Sequence, residues 1–99
     1  LSATTLAQVR KARHGIVDYV GFGPVFPTPL KEGKSATGIR LARLACRKRL
    51  PVIAIGGINE SNVTALAQQG IRRIAAIRAI CAARDPYRAA RDLKDRIRE

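Results

Sequence analysis

An uninterrupted apolar run, Val52-Ile53-Ala54-Ile55, lies between Pro51 and the pair Gly56-Gly57. No polar residue alternates along it, so it predicts a strand buried on both faces. Such strands belong to parallel sheets covered by helices, which places the chain in the α/β class. Parallel neighbours need helical crossovers, and the flanking sequence supplies them. Upstream, Gly38 to Leu50 reads as a helix. Ile39, Leu41, Ala42, Leu44, Ala45 and Cys46 supply its apolar side, and the wet side carries Arg40, Arg43, Arg47, Lys48 and Arg49. Downstream, Asn59 and Ser61 are candidate caps for a helix through Val63, Leu66 and Ala67 that stops at Gly70.

The rest of the chain repeats the alternation. Thr5 and Gln8 have the spacing of a capping box, which predicts a helix ending near Gly15. Ile16 to Phe22 is β-branched and aromatic, a strand. Gly23 to Pro29 holds three prolines and reads as a stiff loop, which continues through Lys31 to Ala36. Ile71 to Ile77 is strand-like, with Arg72 and Arg73 weakening its start. Asp85-Pro86 is a helix start, a capping carboxylate before proline at the first helical position, and a basic helix follows to the C-terminus. The expected architecture is three parallel strands and four helices, with each strand-to-helix repeat taking about 25 to 30 residues.

Length and composition exclude several alternatives. With 99 residues the chain holds one domain, residues 1–99, and falls short of a whole eight-stranded α/β barrel, which takes about 200 residues or more. Gly, Pro or Arg interrupts every apolar stretch, so no transmembrane helix is expected. The start, Leu1-Ser2-Ala3-Thr4-Thr5, lacks the pattern of a secretory signal, and the absence of Met at position 1 points to a chain that begins inside a longer protein. Cys46 and Cys81 belong to no metal or redox spacing, sit in apolar neighbourhoods and read as buried reduced thiols, which points to the cytoplasm. His14, beside Gly15, reads as a helix-end residue.

The net charge of +12, from 19 basic and 7 acidic residues, permits attraction to phosphates or nucleic acid. It is spread along the chain and forms no basic tail. No zinc-finger, RNP-like or KH-type motif is present, and aromatic residues are few, which argues against nucleic acid.

Chemistry in repeated β/α units sits at the carboxyl ends of the strands. That singles out Gly21 to Lys34, Gly56 to Asn59 and Arg78 to Ile80. Glycines there let backbone N–H groups approach a phosphate, while Lys31, Lys34 and Thr28 add charge and a hydroxyl. A Gly-Gly pair is equally at home in a tight β-to-α turn. These turns carry no paired carboxylates, no Ser/His/Asp set and no metal-binding pattern, so acid–base or nucleophilic catalysis has no support.

The run Asp18-Tyr19-Val20-Gly21-Phe22-Gly23-Pro24-Val25-Phe26-Pro27-Thr28-Pro29-Leu30-Lys31 resembles the thiamine-phosphate synthase pattern. So do Pro51 to Ile58, the stretch Ala76-Ile77-Arg78-Ala79-Ile80, Asp85-Pro86 and Ser2 to Thr5, in the family's order and spacing. The resemblance implies the C-terminal portion of a TIM (β/α)8 barrel. It also implies an activity: coupling of hydroxymethylpyrimidine diphosphate with thiazole phosphate to give thiamine phosphate and pyrophosphate, with Mg²⁺. The pyrimidine diphosphate would ionise, and the thiazole nitrogen would attack the resulting cation. By position, Ser2 and Lys31 would contact the pyrophosphate. Thr28, Pro29 and Leu30 would line the thiazole-phosphate site, and Gly57, Ile77 and Arg78 would hold its phosphate through backbone N–H groups.

Departures from the pattern are Leu30 for a Thr, Arg78 for a Ser and Thr4 for a His. The family's pyrimidine and Mg²⁺ residues lie in the first half of the barrel, so the chain reads as a C-terminal half, inactive alone, with no ligands for Mg²⁺ of its own. A complementary N-terminal half-barrel, or self-association, would cover the open sheet edges and the bare inner face. Two other readings stay open: a basic nucleic-acid or phosphate-binding module without catalysis, and a thiazole tautomerase-like protein, from which Pro24 points away.

Overall fold

The computed structural model describes residues 2–12, 16, 18–27, 37–47 and 50–98. His14, Thr28, Pro29, Leu30, Lys31 and Lys34 lie outside the described residues. Four strands, β1 (Ser2–Ala3), β2 (Val20–Phe22), β3 (Val52–Ile55) and β4 (Ile74–Ala75), form one sheet in the order β1-β2-β3-β4. Every neighbouring pair is parallel. Strands laid down side by side in chain order, each followed by a helix, build a wall of a (β/α)8 barrel. A doubly wound sheet would reverse its order part-way. The helices are α1 (Leu6–Lys11), α2 (Gly38–Ala45), α3 (Val63–Gln68), α4 (Arg78–Cys81) and α5 (Pro86–Arg98).

The expected three strands and four helices are thus four and five among the described residues. β1 has two residues ahead of a capping box, too few to show a period, and α4 is a single turn. Other boundaries shorten. β2 begins at Val20, where its N–H meets the Pro51 carbonyl at 3.0 Å, and leaves Ile16 and Tyr19 exposed. α2 ends at Ala45 instead of Leu50, because Leu50 precedes a proline and is swung into the core. β4 loses Arg72 and Arg73, whose guanidinium groups stay outside.

Register explains the core. Val20 pairs with Val52, and Phe22 pairs with Ala3 and Ala54. These residues share one face, and all are buried. Val9 of α1, Ala42 and Ala45 of α2, and Val63, Leu66 and Ala67 of α3 complete the same core. The other face carries Ile53 and Ile55, only half-buried. The expectation that Val52–Ile55 is buried on both faces is therefore corrected: Val52 and Ala54 are buried under the helices, and Ile53 and Ile55 on the other side are only half-buried.

The caps follow side-chain chemistry. The Thr5 hydroxyl accepts the Gln8 N–H at 3.2 Å, and the Gln8 side-chain oxygen accepts the Thr5 N–H at 3.3 Å. This is the predicted capping box. Thr5→Ala is expected to lower stability by about 1 kcal/mol, read as a lower urea midpoint at unchanged slope. α1 stops at Lys11, short of Gly15, with Ala12 already extended. α3 ends as expected at Gly70: at φ +81, its N–H donates to the Ala67 carbonyl and that of Ile71 to the Leu66 carbonyl. That pair of bonds is a Schellman motif. Arg72 adds a third donor, to the Ala67 carbonyl at 2.6 Å. At α5 the Asp85 carboxylate accepts the Arg88 N–H at 3.1 Å, as its place before Pro86 predicts.

The two thiols differ. Cys46 is half-buried, and burial pushes its thiol up, with nearby Arg73 a smaller opposing influence. Cys81 is exposed, against expectation, because the single turn of α4 buries none of its residues.

Candidate functional site

The carboxyl ends of the four strands lead into Thr4-Thr5, Gly23 to Pro27, Gly56 to Asn59, and Ala76 to Arg78. The second and third of these turns interlock. Val25 N–H donates to the Ile55 carbonyl at 2.9 Å, and Phe26 N–H to the Gly56 carbonyl at 3.1 Å. Gly23 N–H reaches the Ala3 carbonyl at 3.1 Å. The start of α2 returns to the same place: Thr37 N–H meets the Pro24 carbonyl at 2.7 Å, and Gly38 N–H meets that of Val25 at 2.9 Å. The described residues on both sides of 28–36 are therefore tied down at this end of the sheet.

Three glycines allow that interlock. A Cβ on Gly23 would fall within the Ile55 carbonyl oxygen's contact distance. One on Gly56 would sit 2.5 Å from Pro24 Cα, and one on Gly57 would sit 2.8 Å from Phe26 Cβ and 2.9 Å from the Phe26 carbonyl oxygen. Gly56 and Gly57 also have positive φ, +95 and +70. The glycines thus serve backbone-to-backbone approach between two loops. The Gly57 carbonyl accepts the Asn62 side-chain amide at 2.8 Å. The N–H groups of Gly57, Ile77 and Arg78 meet no acceptor among the described residues.

Sequence reasoning missed the asparagine bracket that holds this turn. Asn59 N–H donates to Asn62 Oδ1 at 2.8 Å, and the Ser61 N–H and hydroxyl donate to Asn59 Oδ1 at 2.9 and 2.6 Å. Neither Asn59 nor Ser61 is the cap of α3, which begins after Asn62. The signal was the Asn-x-x-Asn spacing itself, two short side chains that each bond to nearby backbone.

The remaining candidates are spread along the carboxyl edge. Ser2 pairs with Gly21 on the outer strand and is exposed. Thr4 is engaged locally, its N–H donating to Gln8 Oε1 at 2.7 Å. Ile77 and Arg78 follow β4, both exposed. Several arginines elsewhere tie the fold together: Arg72 to α3, Arg43 to Gln69 at 3.2 Å, and Arg96 to Glu60 at 2.8 Å. That partly absorbs the basic charge into structure. No helix among the described residues is long and apolar enough to cross a membrane.

The described residues bring no three His, Cys, Asp or Glu side chains together, and the four turns carry no carboxylate. No step is derived through a metal.

The strand order and the interlocked turns define a segment of a parallel (β/α)8 barrel with its working end at the carboxyl edge. The chain belongs to the thiamine monophosphate synthase family, whose model matches residues 1–80. It is 44% identical over 95 residues to a thiamine-phosphate synthase of Psychrobacter sp. (strain PRwf-1), covering 91% of this chain and 45% of that one. A thiamine-phosphate synthase of Archaeoglobus fulgidus is 43% identical over 100 residues, covering 99% and 47%. Among solved structures, a thiamine phosphate pyrophosphorylase from Pyrococcus furiosus superposes with a TM-score of 0.82 at 32% identity, covering 97% of this chain and 46% of that one. The chain thus spans less than half the length of each of these relatives.

Proposed function

We propose that this chain carries the thiazole-phosphate side of a thiamine-phosphate synthase-type site. The carrying observation is the Gly57 N–H, without an acceptor among the described residues, at a turn braced by Pro24, Phe26 and Asn62. A backbone donor held in place before the ligand arrives binds an anion without reorganising. Gly57, Ile77 and Arg78 would hold the thiazole phosphate through their N–H groups, with Thr28, Pro29 and Leu30 along its wall. Ser2 and Lys31 would face the pyrophosphate.

In the coupling, the bond from the pyrimidine methylene carbon to the diphosphate oxygen breaks, and its electron pair leaves with pyrophosphate. The thiazole nitrogen lone pair then forms the new carbon–nitrogen bond. Lys31 and Ser2 would stabilise the departing negative charge. The pyrimidine end belongs, by resemblance, to the preceding half of the barrel. Coupling is accordingly proposed to need both halves.

The test is ligand binding by the purified chain and by Lys31→Ala. A lysine–phosphate contact removed is expected to weaken pyrophosphate affinity by about tenfold or more, with a smaller change for thiazole phosphate. Equal affinity of the two proteins for pyrophosphate would overturn the assignment of Lys31.

A further inference from the structure

Asn62 is the cap residue of α3, yet its side chain makes no capping bond to that helix. An asparagine in this place ordinarily accepts an N–H from the first turn. Here both ends of the amide serve the turn after β3 instead. Nδ2 donates to the Gly57 carbonyl at 2.8 Å, and Oδ1 accepts the Asn59 N–H at 2.8 Å. Only an amide offers a donor and an acceptor in one short planar head, whereas an aspartate in the same place could only accept. The turn it holds is intrinsically loose, two successive glycines at φ +95 and +70. Each glycine carbonyl is held by a different element. The Phe26 N–H, from the loop after β2, holds that of Gly56 at 3.1 Å, and Asn62 of α3 holds that of Gly57. The first bond fixes the peptide plane that carries the Gly57 N–H. The second fixes the next plane, which otherwise swings about the Gly57 Cα–C bond and carries the carbonyl oxygen with it.

We propose that Asn62 is a positioning residue for the phosphate: its amide keeps the Gly57 carbonyl on the α3 side, so that the turn offers an anion N–H and not oxygen. The inference rests on the phosphate reading of Gly57 above and adds the residue that sets its affinity. A carbonyl oxygen turned towards the anion would repel it, and a turn that samples both arrangements binds only in one of them. Affinity then falls in proportion to the fraction of time spent in the competent arrangement. Asn62 forgoes a bond to its own helix and removes that loss.

The test is titration of thiazole phosphate into the unmodified chain, Asn62→Ala and Asn62→Asp, with circular dichroism of each to follow folding. At about pH 7 both variants are expected to bind about tenfold more weakly. Asn62→Asp separates orientation from folding. Its carboxylate still accepts the Asn59 N–H and suits the start of α3, but it has no donor for the Gly57 carbonyl. Near about pH 4 the carboxyl gains a proton and can donate again. Its affinity, taken relative to the unmodified chain at the same pH, is then expected to recover, while that of Asn62→Ala stays low. Glu60 of the same turn and Arg96 of α5, paired at 2.8 Å, are common to all three proteins and cancel in that ratio. Phosphate-dependent binding that is equal in the three folded proteins would overturn the role of Asn62 and leave the Gly57 site standing. So would an Asn62→Asp deficit as deep in acid as at neutrality. An unmodified chain without phosphate-dependent binding overturns the site, and this inference with it.

Discussion

Gly23→Ala is expected to destabilise the chain by about 3 kcal/mol, the upper end for an overpacked site. The added methyl would meet the Ile55 carbonyl, which is main chain in β3 and cannot turn aside as a side-chain tip could. Relief requires the loop after β2 to lift, which breaks the bond from Val25 to Ile55 and that from Phe26 to Gly56. The turn around Gly57 then loses its brace from Phe26. Gly70→Ala provides the contrast. Gly70 has φ +81, but a Cβ there meets nothing within 4 Å. Its cost is backbone strain alone, about 1 kcal/mol. Urea unfolding of both variants tests this. Equal losses would mean that the close approach of the two loops is not what holds Gly23.

Phe22→Ala is expected to cost about 3–5 kcal/mol. Phe22 is fully buried in β2 and, with Val20, Val52 and Ala54, forms the face on which the helices pack. A chain of 99 residues has a total stability of about 5–15 kcal/mol, so this one truncation removes a large share of it. Thermal unfolding should lose its cooperative transition or show a much lower midpoint. Ile16→Ala is the control, at a side chain 80% exposed, with an expected change within about 0.5 kcal/mol. Similar effects for the two would contradict the assignment of the core.

Much of this was readable in the sequence. The Thr5–Gln8 box, the Gly70 stop and the Asp85-Pro86 start each satisfy a specific backbone group within a few residues, so local chemistry suffices to place them. What escaped depends on distant neighbours. β1 is a strand only because Ser2 and Ala3 lie beside Gly21 and Phe22. The apolar run of β3 reads as buried on both faces, yet Ile53 and Ile55 are only half-buried, because what covers them is set by packing and not by the run itself. Gly56 and Gly57 were read as a phosphate cradle or a tight turn. Their approach to Pro24 and Phe26, far away in sequence, makes them first a seat for the neighbouring loop. Of the site candidates, the structure brings Gly57, Ile77 and Arg78 to the ends of adjacent strands and sets Ser2 on the outer one. The long motif was recognisable as a family pattern, whereas its interlock with the Gly-Gly turn is a contact that no spacing announces.

Calorimetric titration of the unmodified chain with thiazole phosphate, beside the dephosphorylated thiazole and at low and moderate salt, tests the phosphate site most directly. Saturable binding that requires the phosphate and survives moderate salt is the predicted result. Binding that vanishes with salt, or that does not distinguish the two ligands, would contradict it and reduce the interlocked turns to a structural joint.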